Sequence, residues 1–404
     1  KTFSYMQKYI LGLMADLKRK SIEPIALASG VAVRTLQEFL AFFRWDHQLV
    51  EKVLIREVIE RQYGNRSIGV LDGSAHTKQG KQTPGVQRQW CGEAGKRENC
   101  IIGQHLLYTD NDPKNPFSCV AASDLYLPKC WDEDRTRCRR AGIPDEIVYR
   151  PKWKIAIEQI ERVMAEGLRF DYVTFDEEYG KVPEFFFELD RLGQKAIGEV
   201  PANFRVWARP PACKSHRAEH SSHRVDNILR HSPTFYSQQW QKMAIKDTTR
   251  GQCVWYIKSA QVYLVKHKDG KAYCPVPTDR KYWLIVANNP QTGETKYFIS
   301  NTPAKETLKT LLEIAFARWH VEKWFERAKQ ECGFGAFEVR TYTSLIRHWL
   351  ASRLSMYFLA DQTHRLRGEK SADNSGAGSG CLEYVSLEDM AEVPVFMEAE
   401  SVCV

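Results

Sequence analysis

Ser67-Ile-Gly-Val-Leu-Asp72 is where the chain changes period. A short apolar run bounded by Ser and a carboxylate reads as a buried strand ending in an acid. Upstream, residues 1–66 read as helical. Tyr9, Ile10, Leu13 and Met14 recur at helical spacing, and Pro24 and Gly30 punctuate a second segment. Ile22, Ile25, Ala26, Ala28, Gly30, Val33, Leu36 and Phe39 have the spacing of helix-turn-helix packing. Two readings fit equally. One is a DNA reader with Arg34, Thr35 and Gln37 early in its second helix. The other is a plain helical platform.

Downstream, Gln89-Trp-Cys-Gly92, Asn99 to Asp110 and Val120 to Leu127 read as strands, and Lys152 to Gly167 as a helix. Phe170-Asp-Tyr-Val-Thr-Phe-Asp176 is a second strand ending in Asp. A helix (Val182 to Leu192) and a strand (Lys195 to Val200) follow. This is an α/β order with acids at strand ends. Residues 203–301 break the alternation. They are rich in Trp, Tyr, Val and Thr, with turn signals at Lys268-Asp-Gly270 and Asn289-Pro-Gln-Thr-Gly293, and predict a mostly β insertion. Long helices return over 302–367. Residues 368–404 form an acidic tail of flexible composition.

The tail holds eight acidic residues against Lys370, while the whole chain of 404 residues has net charge +8. The body is therefore strongly basic and suits a polyanion such as DNA. The eleven Cys are scattered with no Cys-x-x-Cys pair, which argues against a zinc ribbon and a disulfide framework. Cys213, His216, His220 and His223 are ligand types, but their spacing matches no structural zinc pattern. Their basic neighbours Lys214, Arg217 and Arg224 favour a basic loop instead. No run of 18 apolar residues predicts a membrane span. The chain opens without Met, as a fragment or a processed form would. Asp16, Lys18, Arg19 and Lys20 interrupt any signal-peptide pattern.

The chemistry concentrates in Arg318-Trp-His-Val-Glu322-Lys-Trp-Phe-Glu-Arg-Ala-Lys329. Steps of four and seven predict one helical stripe carrying a carboxylate between two cations. An ordinary ion-paired helix face has the same pattern. With Asp72 and Asp176 at strand ends, however, Glu322 completes a set of oxygens suited to two divalent metals about 4 Å apart.

These residues resemble the DDE transposases of bacterial insertion sequences, in the group with a Tyr-x2-Arg-x3-Glu-x6-Lys signature. Arg318, Glu322 and Lys329 match it. Ala315 replaces the Tyr and cannot make its phosphate contact. Leu71-Asp72-Gly-Ser-Ala-His-Thr-Lys78-Gln-Gly-Lys81 and Gly85-Val-Gln-Arg88-Gln-Trp90-Cys91-Gly92 are similar to the first-strand block of the group numbered seven hundred and one. Relatives there often have a second acid where this chain has Gly73. Asp176-Glu-Glu-Tyr179-Gly180 is similar to the second-Asp block, and Glu331 to Arg340 to the segment after the signature.

The resemblance implies an RNase H-like core (67–202 and 302–367) with a β insertion and an N-terminal helical DNA-binding domain. It implies catalysis at Asp72, Asp176 and Glu322, all three as ligands of two Mg²⁺ ions, with Mn²⁺ substituting. The expected reaction is cleavage at the ends of a mobile element, then attack of the freed 3′-OH on another strand. Arg318 and Lys329 would grip phosphates. Lys78, Lys81 and Arg88, in an expected hairpin just beyond the first Asp, read equally as DNA contacts or as a solvated basic turn, and Arg34 is a further candidate DNA contact. An insertion tryptophan would receive a flipped base, with Trp207, Trp240, Trp255 and Trp283 as candidates, Trp255 and Trp283 foremost. The expected partners are double-stranded DNA, as terminal repeats and target, and a second copy of the chain. The expected location is the bacterial cytoplasm, at the nucleoid when acting. The rival readings are an RNase H-like nuclease that cuts without joining and a non-catalytic DNA-binding descendant.

Overall fold

A computed structural model describes residues 1–370 apart from 63–65, 114–115, 212, 215–216, 219–220, 249–250 and 268–274. His216, His220, the side chain of Cys213, the Lys268-Asp-Gly270 turn and the acidic tail after residue 370 lie outside the described residues. In chain order the elements begin with α1 (Thr2–Met14), α2 (Ile22–Ala28), α3 (Val33–Ala41) and α4 (His47–Gln62). Then come β1 (Ile68–Thr77), β2 (Gln87–Cys91), β3 (Lys96–Thr109), β4 (Ser118–Leu125), α5 (Lys129–Asp132), α6 (Arg135–Arg140) and α7 (Lys152–Ala165). They continue with β5 (Tyr172–Phe175), α8 (Glu177–Gly180), α9 (Pro183–Arg191), β6 (Ala196–Val200), β7 (Arg205–Trp207), β8 (Cys213–Lys214), β9 (Arg217–Ala218), β10 (His223–Arg224), α10 (Val225–His231) and α11 (Pro233–Tyr236). The last are β11 (Gln241–Thr248), β12 (Gly251–His267), β13 (Pro275–Pro277), β14 (Tyr282–Asn288), β15 (Thr295–Ser300), α12 (Leu308–Phe316), α13 (Trp319–Glu331) and α14 (Tyr342–Lys370). The class is mixed α/β. Among the described residues no helix is long and apolar enough to cross a membrane.

The chain divides into two compact units. The first holds Lys1–Ser67, Asp72–Arg169 and the segment from His320 onward; the second holds Ile68–Leu71 and Phe170–Trp319. Strand β1 therefore contributes its first four residues to one unit and the rest to the other.

In the first unit, β3 lies beside β1 and pairs antiparallel with β2 and β4. Buried polar groups of α14 tie this sheet to the N-terminal helices. Arg347 donates to the carbonyls of Phe43 (3.0 Å) and Trp45 (2.9 Å) and to those of Phe39 and Leu40 at the end of α3. A helix C-terminus leaves such carbonyls without intrahelical partners, and a cation there also complements the helix dipole. Arg353, only 2% exposed, donates to the carbonyls of Val120 and Ala121 in β4 and to the Glu51 carboxylate in α4. His348 bridges the Tyr9 hydroxyl (2.8 Å) and the Gly333 carbonyl (3.1 Å). Hydrogen bonds involving a charged group contribute roughly 1.5–3 kcal/mol each, so Arg347 and Arg353 hold α3 and α4 firmly in the unit, while the neutral pair of His348 and Tyr9 contributes about 1 kcal/mol to holding α1.

In the second unit, β5 is flanked in parallel by the start of β1 and by β6. Beyond β6 the sheet turns antiparallel through β15, β14 and β12, and β12 also pairs with β7, β11 and β13. The β14–β15 hairpin closes at the predicted Asn289–Gly293 turn, where Gly293 adopts the left-handed conformation (φ 74°).

Candidate active site

The two aspartates are set by strand register. Within the second unit Leu71 pairs with Phe175 in parallel β1 and β5, and Asp72 and Asp176 are the next residues along each chain. Parallel neighbours run in the same direction, so both chains leave the registered pair at the same end of the ladder. The predicted strand is longer than its apolar run. β1 continues past Asp72 to Thr77, because Ser74 and His76 are buried despite their polarity. His76 packs on Phe334 and Phe337, with ring centroids 5.3 and 5.6 Å away.

Asp72 accepts the Gly73 N–H at 2.7 Å. Asp176 caps α8, accepting the Glu178 N–H at 2.9 Å. The glycine that closes the Asp176–Gly180 block has a steric reason. A Cβ on Gly180 would collide with the Glu199 carbonyl, so glycine lets α8 lie against β6. Burial raises the Glu177 carboxyl above its ordinary range. Glu199 and Asp176 push the same way, and Lys296 opposes them.

Glu322 and Lys329 lie on α13, with Glu322 exposed and Lys329 half-buried. Arg318 does not share the helix. α12 ends where the Ala317 N–H reaches both the Glu313 and Ile314 carbonyls, and Arg318 occupies the turn before α13. The predicted single stripe is thus a helix bearing two of the residues and a preceding turn bearing the third. Lys329 donates to the Ala75 carbonyl of β1 at 3.1 Å and pairs with Glu93 at 3.5 Å. The Glu93 carboxylate also receives the Thr77 N–H at 3.4 Å. Nothing in the sequence marks Glu93 beyond its place in a Gly-Glu-Ala-Gly turn.

The remaining candidates separate. Lys78 is engaged internally: its ammonium donates to the carbonyls of Gly335 (2.9 Å) and Phe337 (2.8 Å) and lies 3.6 Å from the Phe337 ring centroid. Burial brings its pKa down to about 8. Lys81 and Arg88 are exposed. Arg34 is exposed and pairs with Glu38 at 2.7 Å. Trp255 is 4% exposed and covered by Phe316, the neighbour of Ala315, at 5.0 Å between ring centroids. Trp207 is buried, Trp283 is half-buried, and Trp240 is exposed beside the Lys258 ammonium.

Carboxylate oxygens are hard donors of the kind Mg²⁺ takes, so the chemistry of Asp72, Asp176 and Glu322 fits that ion. Among the described residues, no three His, Cys, Asp or Glu side chains gather into a cluster that could hold a metal.

A family model described as DDE superfamily endonuclease matches residues 1–259, a span that includes Asp72 and Asp176 and stops before Glu322. A probable transposase for insertion sequence element IS701 from Microchaete diplosiphon is 23% identical over 314 residues, covering 74% of this chain and 78% of its own. The cryo-EM structure of a piggyBac transposase synaptic complex with hairpin DNA aligns with a TM-score of 0.44 at 12% identity, over 100% of this chain and 71% of that one.

Proposed function

The chain belongs to the DDE superfamily of endonucleases, and from that premise we propose that it is a DNA transposase with an RNase H-like core. It cuts phosphodiester bonds at the ends of an insertion sequence and joins the 3′-OH ends to target DNA. The observation that carries this reading is the Leu71–Phe175 register, which sets Asp72 and Asp176 one residue beyond a parallel pair. The relative named as a probable transposase supports joining as well as cutting.

Asp72, Asp176 and Glu322 would hold two Mg²⁺ ions, which when bound supply Lewis acidity at the scissile phosphate. The chain's other groups bind and orient the strand. Lys329 already has an anion against it in Glu93, and a DNA phosphate would take that place. Arg318, as a planar fork, suits a second phosphate. Lys81, Arg88 and Arg34 present exposed cations to the backbone. Lys78 and Trp255 serve packing instead. Trp283 remains the half-buried insertion candidate for an extruded base. The acting form would be a dimer, one copy per element end, on nucleoid DNA in the cytoplasm.

The test is incubation with DNA carrying the element's own ends, with Mg²⁺ or with chelator, for the parent and Glu322→Gln. The reading expects cut and joined products from the parent with Mg²⁺ alone, and none from the variant. Cut products that are never joined would replace it with a nuclease. DNA binding without cleavage by either protein would replace it with a non-catalytic binder.

A further inference from the structure

We propose that the outward face of the β2–β3 hairpin binds an unpaired DNA strand, with a base stacked on Trp90 between Arg88 and Arg97. The proposal rests on the reading of the chain as a DNA enzyme and adds a subsite to it.

Side chains alternate across a strand, and directly paired residues of antiparallel strands share a face. Trp90 pairs with Arg97 and Arg88 pairs with Asn99, so these four residues share one face. Of the two acids of this hairpin, Glu98 is on the opposite face with Lys96, 3.4 Å away, and Glu93 is in the turn at the tip, against the Thr77 N–H. Trp90 is 64% exposed, and Arg88 and Arg97 are exposed beside it. Same-face neighbours on a strand stand about 6.8 Å apart, so a cation is within reach of the phosphates flanking a base on the indole.

The face is held in place. Asn99 donates to the carbonyls of Lys78 (2.7 Å) and Gly80 (2.8 Å), which fixes the loop carrying exposed Lys81. At the hairpin tip, Glu93 accepts the Thr77 N–H at 3.4 Å, which ties the hairpin to the end of β1 within one unit.

The ligand class follows from the chemistry. Two guanidinium groups without an acid on their face complement phosphate and repel a second copy of themselves. A base inside a duplex offers no free ring face. An unstacked base does, and an exposed indole beside cations is the kind of platform single strands use.

The experiment measures binding of a labelled dT 20-mer and of a 20-base-pair duplex by fluorescence anisotropy over a range of salt. Parent, Trp90→Ala, Trp90→Phe and the double variant Arg88→Ala/Arg97→Ala are compared. Trp90→Ala is expected to weaken the dT 20-mer about tenfold while Trp90→Phe stays near the parent, as loss and retention of a stacking surface require. Duplex affinity should stay within about twofold, since stacking plays no part there. The double variant should lower the single-strand salt slope by about 1.4, at about 0.7 per lost phosphate contact. Equal dT binding by parent and Trp90→Ala would overturn the proposal. So would equal weakening on both DNAs, or unchanged DNA binding with loss of dimers in size exclusion. Those results leave the transposase reading standing. A parent that binds neither DNA contradicts that reading as well.

Discussion

Trp255 and Trp90 both lie in strands and meet opposite fates. Trp255 in β12 stands between Val254 and Tyr256, and Trp90 in β2 between Gln89 and Cys91. Trp255 is roofed by Phe316 of α12 and is 4% exposed, whereas Trp90 lies on a hairpin face with no helix over it and is 64% exposed. Strand alternation states which residues share a face. It does not state which face another element covers, and that decides whether an indole packs or binds.

The comparison breaks first, if it breaks, on stability. Trp255→Ala should cost about 3–5 kcal/mol, the usual toll for emptying a buried aromatic site. A urea melt showing less than about 1 kcal/mol would mean that Phe316 does not seal the indole in solution.

The next largest effect is acid sensitivity of the unit that carries Trp90. Burial holds the His105 and His348 pKa values down to about 3 and lowers that of His76 as well. The native state keeps these rings neutral while the unfolded chain protonates them below about pH 6.5, so stability falls as pH drops from there. Each neutral histidine costs roughly 1.4 kcal/mol per pH unit, so His105 and His348 together remove about 3 kcal/mol by pH 5.5. Melts at pH 7.5 and 5.5 check this, and equal midpoints would contradict the burial.

Lys78 should act at the other end of the scale. Its folded pKa of about 8 lies below the ordinary 10.5, so above pH 8 the native state sheds a proton that the unfolded chain retains. The parent should therefore gain stability relative to Lys78→Met between pH 8 and 9.5. A pH-independent difference would place the ammonium in water. The smallest effect is the sharpest contrast: Trp90→Ala should change stability by less than about 0.5 kcal/mol, as exposed positions do. A loss near that of Trp255→Ala would erase the distinction.

Much of the α/β order was legible because apolar runs and turn residues are local signals. The Ser67–Asp72 and Phe170–Asp176 strands do pair, as their acids suggested, and the Asn289–Gly293 turn closes a hairpin. The failures are non-local. The polar stretch after Asp72 extends β1 because aromatic rings more than 250 residues away cover His76. Lys78 reads as a solvated cation until carbonyls of Gly335 and Phe337 are placed beside it. The Arg318 turn was hidden because three-and-four spacing continues across it.

Asp72 and Asp176, one residue past a registered pair, are proposed to hold metal together with Glu322. The decisive measurement is Mn²⁺ bound per protomer, counted by electron paramagnetic resonance on the DNA complex. The account predicts two ions in the parent and fewer in Asp72→Asn, Asp176→Asn and Glu322→Gln alike. Full Mn²⁺ occupancy in any one of the three variants would contradict it.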